Sequence, residues 1–207
     1  TFISTKIAMM NTVMETCHYL PNTNVDDVTE ALALCTDRII SKKYLYGGMG
    51  DGGGCHPRDN IALSYLAQKH NLSYNWYDNI MKQRENQTEW LADLIIKHKG
   101  DKQINILGKC FKPETNITTG SPAILLKNIL EEKGETVRMW DPWVDNSDIM
   151  KVKDEYEWDK VPQLFFIGCK HEAFKLFYFM PDSVVIDPFR YLEVHDNITY
   201  IPLGKNT

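Results

Sequence analysis

Apolar side chains recur along the first hundred residues at steps of three and four. Phe2, Ile3, Ile7, Met10, Val13, Met14 and Cys17 fall at near-helical spacing, and Pro21 stops the pattern. Asn24 or Asp26 would cap a second helix reaching about Thr36, with Val28, Leu32 and Cys35 turned inward. Helical spacing returns over 57–70, with Pro57 in the first turn, and over 74–97 through Trp76, Ile80, Gln87, Leu91, Leu94 and Ile95. Beyond Gly100-Asp101-Lys102 the pattern changes. Short apolar runs at 103–107, 136–140, 164–167 and 184–186 read as strands. Helices are expected at 121–133, with Ser121 as cap, Pro122 at the first position and Gly134 as stop, and at 171–179. Strand alternating with helix marks a parallel sheet with helices on both faces. The expected fold is α/β: a helical domain over 1–99, then a Rossmann-like parallel-sheet domain over 100–207.

Composition narrows the function. With 207 residues, 43% of them hydrophobic, the chain can bury a core without metal or disulfide staples. The net charge of −5 argues against nucleic acid as main partner, because phosphate binding needs a basic face. No apolar run approaches the ~20 residues that span a bilayer. The start, Thr1-Phe2-Ile3, has no Met and no signal-peptide layout, so the chain is expected to be a cut through a longer protein. Five cysteines, with no CxxC pair, are expected as reduced thiols in the cytoplasm. Neither the cysteines nor the histidines share a metal-ligand spacing.

One segment stands apart. Gly47, Gly48, Gly50, Gly52, Gly53 and Gly54 crowd into eight positions, followed by Cys55-His56-Pro57-Arg58-Asp59. Ordering so many glycines costs chain entropy, which calls for a reason. Glycines let backbone approach a ligand and present N–H groups, and a helix start favours a thiolate and attracts phosphate. Arg58 would reinforce both effects, and Asp59, one turn from Cys55, would position a water or hold a proton. The alternative is a tight turn with an incidental cysteine. A protease-like pairing of Cys55 with His56 is weaker, since adjacent residues rarely face each other.

The run Gly48-Met49-Gly50-Asp51-Gly52-Gly53-Gly54-Cys55-His56-Pro57-Arg58-Asp59 resembles the catalytic-cysteine motif of the UDP-glucose/GDP-mannose dehydrogenase family, roughly G-P-G-F-G-G-S-C-F-P-K-D. Ile106-Leu107-Gly108-Lys109-Cys110-Phe111-Lys112-Pro113-Glu114-Thr115 resembles its L-G-x-A-F-K-x-x-T segment. Ser121-Pro122-Ala123 and Val137-Arg138-Met139-Trp140-Asp141-Pro142 match its S-P-A and V-x-x-Y-D-P stretches, and Phe2 to Asn11 resembles the helix that opens its central domain. The resemblance implies the central and C-terminal parts of a nucleotide-sugar 6-dehydrogenase. The N-terminal NAD domain is expected to lie outside this chain, leaving it inactive alone.

Such an enzyme oxidises a primary alcohol to a carboxylate, passing two hydrides to NAD through a cysteine thiohemiacetal and thioester. The resemblance makes Cys55 the nucleophile and Asp59 the residue that orients water. It places Gly50, Gly52, Gly53, Gly54, His56, Arg58, Lys112 and Arg190 toward the nucleotide sugar, UDP-glucose before GDP-mannose, and implies a homodimer through the central helices. Besides Arg58 in place of a lysine, three departures from the pattern matter: Asp51 and His56 replace phenylalanines, and the pair Thr119-Gly120 replaces Arg-Glu. These leave open a non-catalytic module that only dimerises or holds a nucleotide sugar, and a thiol hydrolase. Asp141 would bind a ribose or serve as a turn carboxylate. Arg190 would reach the site or pair at the surface. Cys110 and Cys169 read as core.

Overall fold

A computed structural model describes residues 16–17, 19–37, 47–50, 53–144 and 160–204. Two compact units emerge: Thr1–Tyr46 with Pro57–Gln83, and Gly47–His56 with Arg84–Thr207. Apart from Thr16, Cys17 and Tyr19, which are helical, and Leu20, which lies in a bend, the helix expected over 2–20 lies outside the described residues. No described helix is long and apolar enough to cross a membrane.

The first unit holds α1 (Val25–Ala33), most of α2 (Cys55–Lys69) and the start of α3 (Trp76–Lys99). Asn24 caps α1 by accepting the Asp26 N–H, as the pattern predicts. Cys35 was expected inward but is exposed. The helix ends at Ala33, so Cys35 leaves the inward stripe; Val28 and Leu32 stay half-buried. Asn75 receives the Asp78 N–H at 3.1 Å and donates to the Ser64 hydroxyl at 2.9 Å, fixing the start of α3 to α2. Ala67 and Tyr77 are buried between these helices, and the Tyr77 hydroxyl pairs with Thr16 at 3.2 Å. α2 starts two residues earlier than Pro57. Proline lacks an N–H, so it is tolerated throughout a first turn and does not fix the start.

The second unit is built on a parallel sheet of order β2-β1-β3-β4-β5. Its strands are β1 (Ile104–Leu107), β2 (Val137–Trp140), β3 (Leu164–Ile167), β4 (Val184–Asp187) and β5 (Thr199–Pro202). β5 carries no long apolar run, which hid it from the sequence; it lies at the sheet edge, half-exposed. The helix α4 (Pro122–Glu132) opens with Ser121 accepting the Ala123 N–H and ends before Gly134, at φ +88°. The helix expected over 171–179 is a five-residue 3₁₀ helix, Glu172–Leu176.

Alternation sets the two faces of the sheet. Ile104, Ile106, Val137, Met139, Leu164, Phe166, Val184 and Ile186 pack against Leu91, Ala92 and Ile95 of α3 and Leu126, Ile129 and Leu130 of α4. Leu107, Phe165, Ile167 and Val185 face Phe174, Phe179, Leu192 and Ile198. β1 and β3 are buried at every position, as central parallel strands must be. Burial of each such side chain contributes roughly 1.5–3 kcal/mol. The last sixteen residues of α3, from Arg84, thus serve the sheet unit.

Candidate active site

The glycine loop belongs to the sheet unit and is pinned by its side chains. Gln87 of α3 donates to the Gly48 carbonyl at 3.0 Å and accepts the Gly50 N–H at 3.2 Å. Arg190 donates to the Gly47 carbonyl at 2.7 Å, and to the carbonyls of Pro188 at 2.5 Å and Leu203 at 2.8 Å. Gly50 sits at φ +70°, and a Cβ there would lie 2.5 Å from Pro122. A Cβ on Gly53 would come within 2.9 Å of the Phe111 ring, and one on Gly120, at φ +75°, would strike the backbone of Gly54. The loop is therefore a packed track, in which missing side chains let α3, α4 and the Phe111 loop close on the backbone. Asp51 and Gly52 lie outside the described residues.

This track delivers Cys55, exposed, as the first residue of α2. The positive end of the helix dipole favours an anion there. His56 is exposed, and its N–H bonds the Gly53 carbonyl at 3.0 Å. Within the first unit, Arg58 and Asp59 form an ion pair at 2.8 Å, both exposed. Such a pair adds little to stability. Asp59 follows Cys55 by one turn of the same helix. Lys112 is exposed, its amine 5.4 Å from the centre of the Phe111 ring.

Two carboxylates that end strands organise the loops around it. Asp187 is fully buried. One oxygen accepts the N–H groups of Phe189 and Arg190 at 2.8 and 2.9 Å. The other accepts those of Tyr191 and Leu192 at 2.8 and 3.1 Å and the Tyr200 hydroxyl at 2.9 Å. Asp141 is also fully buried, so it is a turn carboxylate turned inward and offers nothing to a ribose. It accepts the N–H groups of Lys109, Cys110 and Trp143 at 2.6, 3.1 and 2.8 Å, and meets His171 Nε2 at 3.1 Å. Burial pushes the Asp141 carboxyl up, but bonds from His171, Trp143 and Lys109 outweigh it and hold the group well below the usual range. Burial, and then the Asp141 charge, push the thiols of Cys110 and Cys169 up to about 12.

Cys110, Asp141 and His171 bring ligand atoms within 4.8 Å of one another, a donor set that suits a metal ion. No spacing in the sequence pointed to it. Each donor is already engaged: the Cys110 thiol bonds the Thr115 carbonyl at 2.7 Å, and His171 Nδ1 receives the Glu114 N–H at 3.2 Å. Sequence reasoning also missed Gln87 as a loop staple, placing it only on a helix face. Cys110 and Cys169 are buried, as expected.

Residues 1–86 match the model of the UDP-glucose/GDP-mannose dehydrogenase family, central domain. Curated relatives extend the match to 68% of the chain: UDP-glucose 6-dehydrogenase of Rhizobium meliloti, 31% identical over 145 residues, and UDP-glucose 6-dehydrogenase TuaD of Bacillus subtilis, 29% identical over 144. The chain belongs to the UDP-glucose/GDP-mannose dehydrogenase family. The matched part is 32% and 31% of those two relatives, so the chain spans about a third of their length. Two solved structures share the fold. A GDP-mannose dehydrogenase from Pseudomonas aeruginosa superposes with a TM-score of 0.74 at 20% identity, covering 96% of this chain and 50% of its own. A UDP-glucose dehydrogenase from Pyrobaculum islandicum does so with 0.64 at 21%, covering 97% and 48%.

Proposed function

We propose that the chain is the central and C-terminal part of an NAD-dependent dehydrogenase that oxidises the primary alcohol of a nucleotide sugar, UDP-glucose before GDP-mannose, to a carboxylate. The observation that carries this reading is Cys55: an exposed thiol at a helix start, at the end of a glycine track fixed by Gln87 and Arg190. In this reading residues 1–99 form a central domain that pairs two copies and residues 100–207 form the nucleotide-binding domain. Exposed Ile61 and Tyr65, one turn apart on α2, suit such pairing. The protein works in the cytoplasm.

The connection that follows β1 supports a reading in which another domain holds the dinucleotide. After β1 the chain runs from Gly108 to Ser121 before α4 begins, and that connection is filled by Phe111 and the Asp141 bonds. A short glycine turn that seats a pyrophosphate is not there. NAD, implied by the resemblance, would be held by residues outside these 207. What the chain's own residues supply is capture and release. The Cys55 thiolate adds to the carbonyl carbon of the aldehyde, whose oxygen takes a proton from solvent and becomes a hydroxyl, and the new carbon–sulfur bond keeps the intermediate from leaving. At the thioester stage water adds, the carbon–sulfur bond breaks, and Cys55 returns as thiolate. Asp59 orients that water and takes its proton. Gly50, Gly52, Gly53 and Gly54 line the diphosphate, His56 and Arg58 flank it, Lys112 meets the nucleotide sugar, and Arg190 serves by fixing Gly47.

The test is the yield of NADH from the intact gene product, offered each nucleotide sugar in turn. Two NADH per sugar consumed, abolished by Cys55→Ser, is the expected result. No NADH from a folded protein would replace this reading with a non-catalytic module that binds nucleotide sugars or only dimerises. Thioester hydrolysis without nicotinamide would favour the thiol hydrolase.

A further inference from the structure

The buried Asp141–His171 pair lies at the carboxyl ends of β2 and β3, beside the segment that leaves β1. Ligands of open α/β sheets bind at that end of the strands. The pair holds the segment at two places. At its start, Asp141 takes the N–H groups of Lys109 and Cys110. At its end, His171 Nδ1 takes the N–H of Glu114, a residue at φ +58°. Because Nδ1 accepts, the ring proton is assigned to Nε2, where it donates to Asp141 at 3.1 Å. The Tyr191 hydroxyl bonds the His171 carbonyl at 3.1 Å and holds the histidine's own backbone. Between the two clamped points stand Phe111, in contact range of Gly53, and Lys112, exposed beside it.

A flexible lysine on an unclamped loop would lose conformational freedom each time it met an anion. Clamping the backbone on both sides removes that cost beforehand. All the clamp's donors and acceptors are spent within the protein, which is why the trio with Cys110 reads as a fastening rather than a metal centre.

We propose that Asp141 and His171 are positioning residues for Lys112: they fix residues 109–114 so that the lysine is presented to the nucleotide sugar. This rests on the proposed function, in which Lys112 meets that ligand. The test is a double-mutant cycle read by calorimetric binding of UDP-glucose and GDP-mannose to the chain. His171→Gln keeps a donor toward Asp141 and loses the acceptor for Glu114; His171→Asn keeps that acceptor. We expect His171→Gln to weaken binding about tenfold, the order of one lost hydrogen bond to a placed group. In a Lys112→Ala background the same change should cost less than about twofold, and His171→Asn should restore most of the affinity. Ile129→Val, which loosens the core of α4 elsewhere, should leave binding unchanged. If His171→Gln weakens binding equally with and without Lys112, the pair does not act through the lysine and this inference falls while the proposed function stands. If Lys112→Ala binds like the wild type, or neither nucleotide sugar binds at all, the reading of Lys112 falls and the inference with it.

Discussion

Asp141 and Asp187 occupy matching places and do different work. Each closes a parallel strand, each precedes a proline, and each is fully buried. Asp187 spends its oxygens on its own continuation: four N–H groups from residues 189–192 and one hydroxyl from the neighbouring strand. It thereby shapes the turn that carries Arg190 to the Gly47 carbonyl. Asp141 takes the N–H of Trp143 nearby, and then reaches back to Lys109 and Cys110 and forward to His171. One carboxylate makes a loop; the other joins three strand ends. The same Asp-Pro pair thus serves a local and a long-range purpose, and what differs is which backbone donors the fold leaves facing it.

The largest expected effect breaks the local hub. Asp187→Ala leaves four buried N–H groups and the Tyr200 hydroxyl without their acceptor, and should cost about 4 kcal/mol or prevent folding, measured by urea unfolding. Asp141→Ala strands the N–H groups of Lys109, Cys110 and Trp143 and the His171 ring, and should cost about 3 kcal/mol. Amide exchange should separate the two. The Asp141 variant should speed exchange at Lys109, Cys110 and Glu114 and spare residues 189–192, and the Asp187 variant should do the reverse.

A smaller effect follows from alkali. Burial, and then the Asp141 charge, raise the thiols of Cys110 and Cys169 from about 9 to about 12. Burial together with Asp187 raises the phenols of Tyr191 and Tyr200. All four are neutral when protonated, and folding holds those protons more tightly. Their contribution is therefore complete below about pH 9 and is lost as pH climbs toward the folded values. Urea midpoints should be level from pH 7 to 8.5 and fall from pH 9 to 11, with a shallower fall in Cys110→Ala. The smallest effect sets the scale away from both hubs. Gly134, at φ +88° with open space around it, should lose only about 1 kcal/mol on replacement by alanine.

Much of this molecule is legible along the chain because its determinants are local. Asn24 and Ser121 cap helices next to themselves, and the apolar runs of β1, β3 and β4 announce buried parallel strands. The crowded glycines before Cys55 mark a backbone approached from outside. What stayed hidden is long-range. Gln87 looks like one more residue on a helix, and only the fold brings it to Gly48 and Gly50, far away in sequence. His171 carries no partner at helical or strand spacing, because Asp141 and Glu114 come to it from other connections. β5 was missed because an edge strand needs little apolar character.

The central claim is that Cys55 is a nucleophile held for a nucleotide sugar, and alkylation tests it most directly. Iodoacetamide labelling of each cysteine, followed by mass spectrometry, compares Cys55 with Cys35, an exposed thiol in the same molecule. The account predicts that Cys55 reacts faster than Cys35, and that UDP-glucose or GDP-mannose protects Cys55 while leaving the Cys35 rate untouched. Labelling of both at one rate, unchanged by either nucleotide sugar, would contradict it.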